Sequence, residues 1–342
     1  MTGGWLGQQM WLGPQAPLRL AVGMDVFMSL ETTMADPQRF ALLYGTTPPR
    51  ADAPADRVLG AAARLAERVA DLPLDGLVVY DVQDESARTS EPRPFPFLPT
   101  IDSPPYATLL RQLTHKPVVT YKCIATENEQ SWPEWLDRAA EQHKVRYLSL
   151  VGLSSAKAAQ SSIALSRATE LAAAHPAGFV LGGVAIAERH GAERSESLRL
   201  IQKAQRGIRY FISQAVYDAE PTIRLLGDYV RDCAARNAQP QRMLLDFVPV
   251  GRPQTMNFMR WLGIAIPDTT AAAILDDPAP LSRSIAVCRD LLRRILDQPY
   301  LNQIPLGIVV ESVSINKAEI GATIELIHTL RDVAHEYGLP VS

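Results

Sequence analysis

Two observations predict an α/β protein, a (β/α)₈ barrel with an N-terminal extension. Eight short apolar segments, typical of buried strands, alternate with longer segments of helical periodicity from residue 40 onwards. Right-handed crossovers between successive parallel strands close a series of this length into a barrel. A doubly wound open sheet is the rival fold, but its glycine-rich fingerprints, G-x-G-x-x-G and G-x-x-x-x-G-K-[ST], do not occur in the sequence.

The predicted elements follow one another as strand and helix. Strands are expected at residues 40–44, 76–80, 117–121, 146–151, 178–181, 208–212, 243–248 and 306–310. Helices are expected at residues 55–71, 106–113, 132–142, 159–174, 196–206, 221–236, 254–262, 280–297 and 320–337. Asp36-Pro37 should end the apolar stretch before it. We therefore expect residues 1–38 to be an extension that packs on a catalytic barrel of residues 39–342.

Composition and charge restrict the class of function. The chain has 342 residues, of which 47% are hydrophobic and 21% charged, as in soluble globular proteins. A net charge of −3 gives no electrostatic reason to expect a nucleic-acid partner. Cys123, Cys233 and Cys288 have no metal-type spacing and fit a reducing compartment, so we expect a cytoplasmic protein without a metal site. No basic leader and no membrane-length apolar run is evident, so we expect neither secretion nor membrane insertion.

Residues 196–214 form the strongest candidate for a site. Glu196, Arg199 and Lys203 fall on one face of a predicted helix, which leads into a strand that ends at polar residues including Gln214. Active sites of (β/α)₈ barrels lie at the carboxyl ends of the strands, so these side chains are candidates for ligand binding. A solvated helix face is the alternative interpretation.

This segment resembles part of the methylenetetrahydrofolate reductase family, in which a helix ending K-x-x-x-G leads into a strand ending I-T-Q-x-x-x-D. The matching residues are Lys203, Gly207, Ile212, Ser213, Gln214 and Asp218, with Ser in place of the family's Thr. The similarity continues at lower fidelity from about residue 40 to the C-terminus. It implies a TIM barrel that reduces 5,10-methylenetetrahydrofolate to 5-methyltetrahydrofolate with NAD(P)H.

The resemblance also implies ligand roles for single residues. Gln214 matches the glutamine that contacts the pterin, and Arg199 and Lys203 match residues on the flavin's ribose and phosphate side. His190 ends Ala187-Glu-Arg-His190, which is similar to the family's P-E-G-H, although a surface histidine is an equal alternative. Further candidates for substrate contact lie at the ends of the second and third strands: Gln83, Tyr121 and Lys122.

Two positions depart from the family pattern. Gly45 stands where the family has its proton-donating glutamate, in Gly45-Thr-Thr-Pro-Pro-Arg50, which is similar to E-[FL]-x-P-P-[RK]. Leu153 stands where the family has the Asp of R-G-D that lies against flavin and folate, and leucine cannot accept a hydrogen bond. We therefore expect a protein that binds no FAD, is colourless when purified, and transfers hydride directly from NAD(P)H.

Another carboxyl must then protonate N10 of the folate as its five-membered ring opens. Asp84 and Glu85 follow the second strand, ahead of a loop with Phe95 and Phe97 that could shield a carboxyl from water, although a solvated acidic turn is the alternative. Glu311, at the end of the eighth strand, is either functional or paired with a basic residue such as Lys122. The functional alternative is a folate-dependent methyl-transfer or folate-binding barrel without hydride chemistry. The oligomeric state is left open.

Overall fold

The protein is a closed barrel of eight parallel strands in sequence order, and the predicted (β/α)₈ fold is confirmed. The computed structural model describes residues 30–86, 89–152 and 162–341. The strands are β1 (Ala41–Thr46), β2 (Gly76–Val79), β3 (Val118–Cys123), β4 (Tyr147–Val151), β5 (Val180–Ala185), β6 (Ile208–Ala215), β7 (Arg242–Phe247) and β8 (Leu306–Val310). Pairing of β8 with β1 closes the barrel.

Helices cover the outside of the barrel. They are α1 (Ala55–Val69), α2 (Ser103–Thr114), α3 (Ser131–Glu141), α4 (Leu165–Ala173), α5 (Glu196–Gln205), α6 (Ala219–Ala235), α7 (Pro253–Trp261), α8 (Asp268–Leu275), α9 (Pro280–Leu296) and α10 (Lys317–Glu336). Three of them, α7 to α9, lie between β7 and β8, and the sequence did not predict α8. Among the described residues, no helix is both long enough and apolar enough to cross a membrane.

The strands are almost wholly apolar because both of their faces are buried. All five residues of β8 are buried, for example, which is typical of a parallel strand covered by helices outside and by side chains inside. Inside the barrel, Tyr210 occupies space that Gly182 leaves open. A Cβ atom at position 182 would lie 2.3 Å from the Tyr210 ring, so this layer requires glycine there.

Residues 30–38 close the amino-terminal end of the barrel. Leu30 is fully buried within the cluster that fills the barrel interior. The guanidinium of Arg242, at the start of β7, donates hydrogen bonds of 2.5–2.7 Å to the main-chain oxygens of Thr33, Asp36, Arg39 and Leu306. These bonds attach the described part of the predicted extension to the strand ends, whereas residues 1–29 lie outside the described chain.

Candidate active site

A cavity of about 540 Å³ opens at the carboxyl ends of β2 to β6. Strand ends form one wall of it, which carries Tyr80, Tyr121 and Gln214. Helix α5 forms a second wall, here called the α5 wall, and its residues at the cavity are Glu196, Arg199, Gln202, Lys203 and Arg206. The cavity therefore combines aromatic and amide groups on one side with mostly cationic groups on the other.

Gln214 lies in a β-bulge of strand β6. Ile212 pairs with Leu244 of β7, but Ala215 pairs with Asp246, so β6 contains one more residue than its partner in this interval. The hydroxyl of Ser213 donates a 2.7 Å hydrogen bond to the main-chain oxygen of Gln214 and accepts a 2.9 Å bond from the main-chain N–H of Asp246. A bulge changes the direction of a side chain relative to a regular strand. Ser213 thus holds, through its hydroxyl, the bulge that presents Gln214 to the cavity. The threonine at this position of the resembled motif also has a hydroxyl.

Asp246, Glu311 and Tyr80 form an acidic cluster at the mouth of the barrel. Asp246 lies in β7, Glu311 directly follows β8, and Tyr80 directly follows β2. A Cβ atom added to Gly45 of β1 would lie 2.8 Å from Cβ of Glu311 and 2.9 Å from the Tyr80 ring. The missing side chain at position 45 therefore provides the space that Glu311 and Tyr80 occupy. The end of β8 thus supplies a carboxyl group in this part of the barrel, where β1 has none.

Burial makes the cluster hard to ionise. It raises the pKa of Glu311 to about 7, although the contacts with Asp246 and Tyr80 act in the opposite direction. Burial, followed by the neighbouring Glu311 carboxyl, raises the pKa of Asp246 well above its usual value. Oδ1 of Asp246 and the Tyr80 hydroxyl are buried without a hydrogen-bond partner. Glu311 itself is partly exposed, and it is not among the residues that line the cavity, although its neighbour Tyr80 is.

The α5 wall contains a buried carboxylate between cations. The Glu196 side chain is 2% exposed and lies 3.6 Å from Nε of Arg199 and 3.7 Å from Nζ of Lys203. Lys203 also donates a 2.6 Å hydrogen bond to the main-chain oxygen of Val184, and burial lowers its pKa. Oε2 of Glu196 is buried without a hydrogen bond and has the ion pair with Arg199 as its contact, so this wall holds a buried carboxylate among several donors. Among the described residues, no group of three or more acidic, histidine or cysteine side chains could hold a metal ion.

Comparisons with known proteins give one informative match. No family model and no curated protein matches the sequence. An uncharacterized protein from Clostridium thermocellum, whose structure is described as binding two copies of 5-methyl-5,6,7,8-tetrahydrofolic acid, is 28% identical, with a TM-score of 0.76. The match covers 89% of this chain and 99% of the Clostridium protein. The chain is similar to a folate-binding protein.

A second match is weaker. Dihydropteroate synthase from Xanthomonas albilineans, solved with 4-aminobenzoic acid, is 12% identical with a TM-score of 0.44, covering 87% of this chain and 94% of that chain. The Clostridium protein supports the predicted likeness to folate-binding barrels. No family model supports membership of the methylenetetrahydrofolate reductase family.

The candidate acids fall in different surroundings. Glu85 lines the cavity. Asp84 is exposed, and hydrogen bonds from Ser86 lower its pKa, which is opposite to the shift needed for a general acid near neutral pH. The loop that was expected to shield these residues packs elsewhere: Arg93 lies over the rings of Phe97, Phe258 and Trp261, and Trp261 donates a 3.0 Å hydrogen bond to the main-chain oxygen of Glu91.

The structure also places the remaining candidates. Gln83 and Tyr121 line the cavity with Gln214, and Arg199 and Lys203 line its α5 wall. Lys122 is not at the cavity and pairs with Glu127 at 2.8 Å, so Glu311 does not have it as a partner. His190 is outside the cavity lining too, and its Nε2 lies 2.9 Å from Asp228 on α6. Leu153 lies outside the described residues.

Two polar residues that follow barrel strands are helix caps. The side chain of Asp218, which matches the last letter of the family motif, accepts a hydrogen bond from the main-chain N–H of Glu220 and begins α6. Asn316 begins α10 in the same way. Sequence reasoning missed Asp246, whose only signal was a carboxyl in the otherwise apolar stretch Met243-Leu-Leu-Asp-Phe247.

Proposed function

We propose that the protein binds a reduced folate at the carboxyl end of its barrel and reduces 5,10-methylenetetrahydrofolate to 5-methyltetrahydrofolate with NAD(P)H. The observation that carries this proposal is the Glu311 carboxyl. It fills the space left by Gly45, where the resembled family has its proton donor, and its pKa is about 7. The ligand of the Clostridium protein, 5-methyltetrahydrofolate, is the product of this reaction, which supports the same substrate class.

Gln214 is suited to orient the pterin. Its amide has both donors and an acceptor, which the polar edge of a pterin ring requires. Ser213 holds the main chain of the bulge at Gln214, so little backbone freedom is lost there when a ligand binds. The rings of Tyr80 and Tyr121, with centroids 4.8 Å apart and planes tilted by 52°, give the same wall an aromatic surface.

Glu311 is suited to protonate the folate. A general acid is most effective when its pKa is near the working pH, because it is then both protonated and ready to give up its proton. With its pKa raised to about 7, Glu311 can keep its proton closer to neutral pH than an ordinary glutamate does. The proton passes from this carboxyl to N10 as the five-membered ring opens to an iminium ion. Asp84 is unsuitable because it is exposed and its pKa is lowered.

The α5 wall fits a nicotinamide nucleotide. Arg199 and Lys203 are cations that line the cavity and can pair with phosphate. When bound, NAD(P)H supplies a hydride for the one-carbon unit. Leu153 removes the flavin-facing carboxylate of the resembled family, so we propose that the nucleotide takes this wall instead of FAD.

The assay is the oxidation of NADH or NADPH by 5,10-methylenetetrahydrofolate without oxygen, followed by ultraviolet absorbance, with mass-spectrometric detection of 5-methyltetrahydrofolate. Formation of both products without added FAD supports the proposal. Tight folate binding without nucleotide oxidation would instead favour the alternative, a folate-binding or methyl-transfer protein. A yellow preparation that releases flavin on denaturation, or a rate that depends on FAD, would contradict direct hydride transfer.

Replacing Gln214 with Ala is expected to weaken folate binding by roughly 1–3 kcal/mol, because polar atoms of the bound pterin lose their partner. Isothermal titration calorimetry with 5-methyltetrahydrofolate measures this change. The control is Gln241→Ala, a glutamine beside the start of β7, at the opposite end of the barrel. Wild-type affinity in the Gln214 variant would remove this residue from the site.

A further inference from the structure

The carboxyl of Glu311 has a second carboxyl next to it. Asp246 pairs with Val309 across β7 and β8, so both side chains point into the barrel, and Glu311 lies two residues beyond Val309 on the same face. The main-chain N–H of Glu311 donates a 3.2 Å hydrogen bond to the oxygen of Phe247, which continues the strand pairing past the end of β8. The two carboxyls are therefore fixed side by side by the sheet itself.

The surroundings of this pair cannot balance two negative charges. Asp246 is 5% exposed, and its Oδ1 atom has no hydrogen-bond partner. Among the described residues, the groups whose pKa this pair raises are Tyr80, Tyr121, Tyr217 and Cys288, from the ends of β2 and β6, from β3 and from α9. All four are neutral acids, and the pKa of each is raised. Two adjacent carboxylates in such surroundings cannot both ionise, so at least one proton stays on the pair.

We propose that Asp246 and Glu311 act as one unit with a retained proton: Glu311 gives its proton to the substrate, while Asp246 stays neutral and donates a hydrogen bond to the carboxylate that results. The role of Glu311 toward folate rests on the proposed function, whereas the retained proton does not. Asp246 is then a positioning residue that acts through Glu311. Solvent returns one proton to Glu311 after each turnover, and the second proton never leaves the pair.

The retained proton can be tested without any activity. A carboxyl that is protonated in the folded protein but ionised in the unfolded chain makes folding less favourable as pH rises. Between the ordinary carboxyl pKa and about 7, the unfolding equilibrium constant of the wild type should rise about tenfold per pH unit for each such proton. Asp246→Asn has one such proton fewer. Its unfolding equilibrium constant should therefore rise about ten times less per pH unit than that of the wild type. An unchanged dependence, measured by urea unfolding across the same pH range, would mean that Asp246 is ionised and would overturn the proposal.

A matched pair of variants tests the hydrogen bond. Asp246→Asn keeps a donor of nearly the same shape, so turnover and the alkaline limit of its pH profile should stay close to wild type. Asp246→Leu keeps the size but removes the donor, so turnover should fall by about tenfold and the alkaline limit should move up by about one pH unit. Inactivity of the Asn variant with normal folate affinity would show that an ionised Asp246 is needed and would contradict a neutral donor. Absence of reductase activity in the wild type would count against the proposed function alone, because the unfolding experiment still decides the retained proton.

Discussion

Replacing Glu311 with Gln is expected to lower the turnover of 5,10-methylenetetrahydrofolate by about 10²–10⁴-fold, the usual contribution of a general acid. Glutamine is similar in shape but has no proton to give to N10. Affinity for 5-methyltetrahydrofolate should change little, because the variant keeps the volume of the side chain in the space beside Gly45. The measurements are kcat from nucleotide oxidation and Kd from calorimetry.

The pH profile separates an acid from a structural residue. Glu311 acts in its protonated form, so the wild-type rate should fall as pH rises through about 7. In Glu311→Gln, the residual rate should lack this alkaline fall. Glu85→Gln is the matched control, because Glu85 is another glutamate at the carboxyl end of the barrel and lines the cavity. If the large loss appeared in Glu85→Gln or in Asp84→Asn, while Glu311→Gln kept near-normal turnover, the role of proton donor would pass to that residue.

Replacing Arg242 with Met is expected to lower the free energy of unfolding by about 3–5 kcal/mol. Arg242 is 2% exposed, and its guanidinium satisfies main-chain oxygens from two separate parts of the chain, residues 33–39 and Leu306 at the start of β8. Methionine would fill the space but leave these oxygens without a donor, and each buried unpaired group costs about 1–3 kcal/mol. Urea unfolding at neutral pH measures the change.

An exposed arginine gives the control for this prediction. Arg283→Met on α9 should change stability by less than about 0.5 kcal/mol, as surface substitutions usually do. Folate affinity of the folded Arg242 variant should stay near wild type, because Arg242 is at the amino-terminal end of β7 and the cavity is at the carboxyl end. A loss below about 1 kcal/mol would mean that water replaces the guanidinium as the donor at this end of the barrel.

The amino-acid sequence by itself determined the order of elements and the end of the barrel where the site should be. The apolar strands predicted a parallel sheet because both of their faces must be buried, and parallel strands place all carboxyl ends together. The sequence also singled out Gln214 and the change to Gly45. These are local features, visible within a few residues of a strand end.

Only the tertiary structure decided which side chains meet. Glu311 and Gly45 are far apart in sequence, and their contact depends on the closure of β8 against β1. The bulge at Gln214 depends on the register between β6 and β7, and the partner of His190, Asp228, comes from another helix of the fold. Asp246 could not be recognised as a site residue from the sequence, because the role of one carboxyl in an apolar strand depends on which side chains lie beside it. Its raised pKa comes from burial and from Glu311, and both are properties of the closed barrel, since no local sequence pattern specifies either.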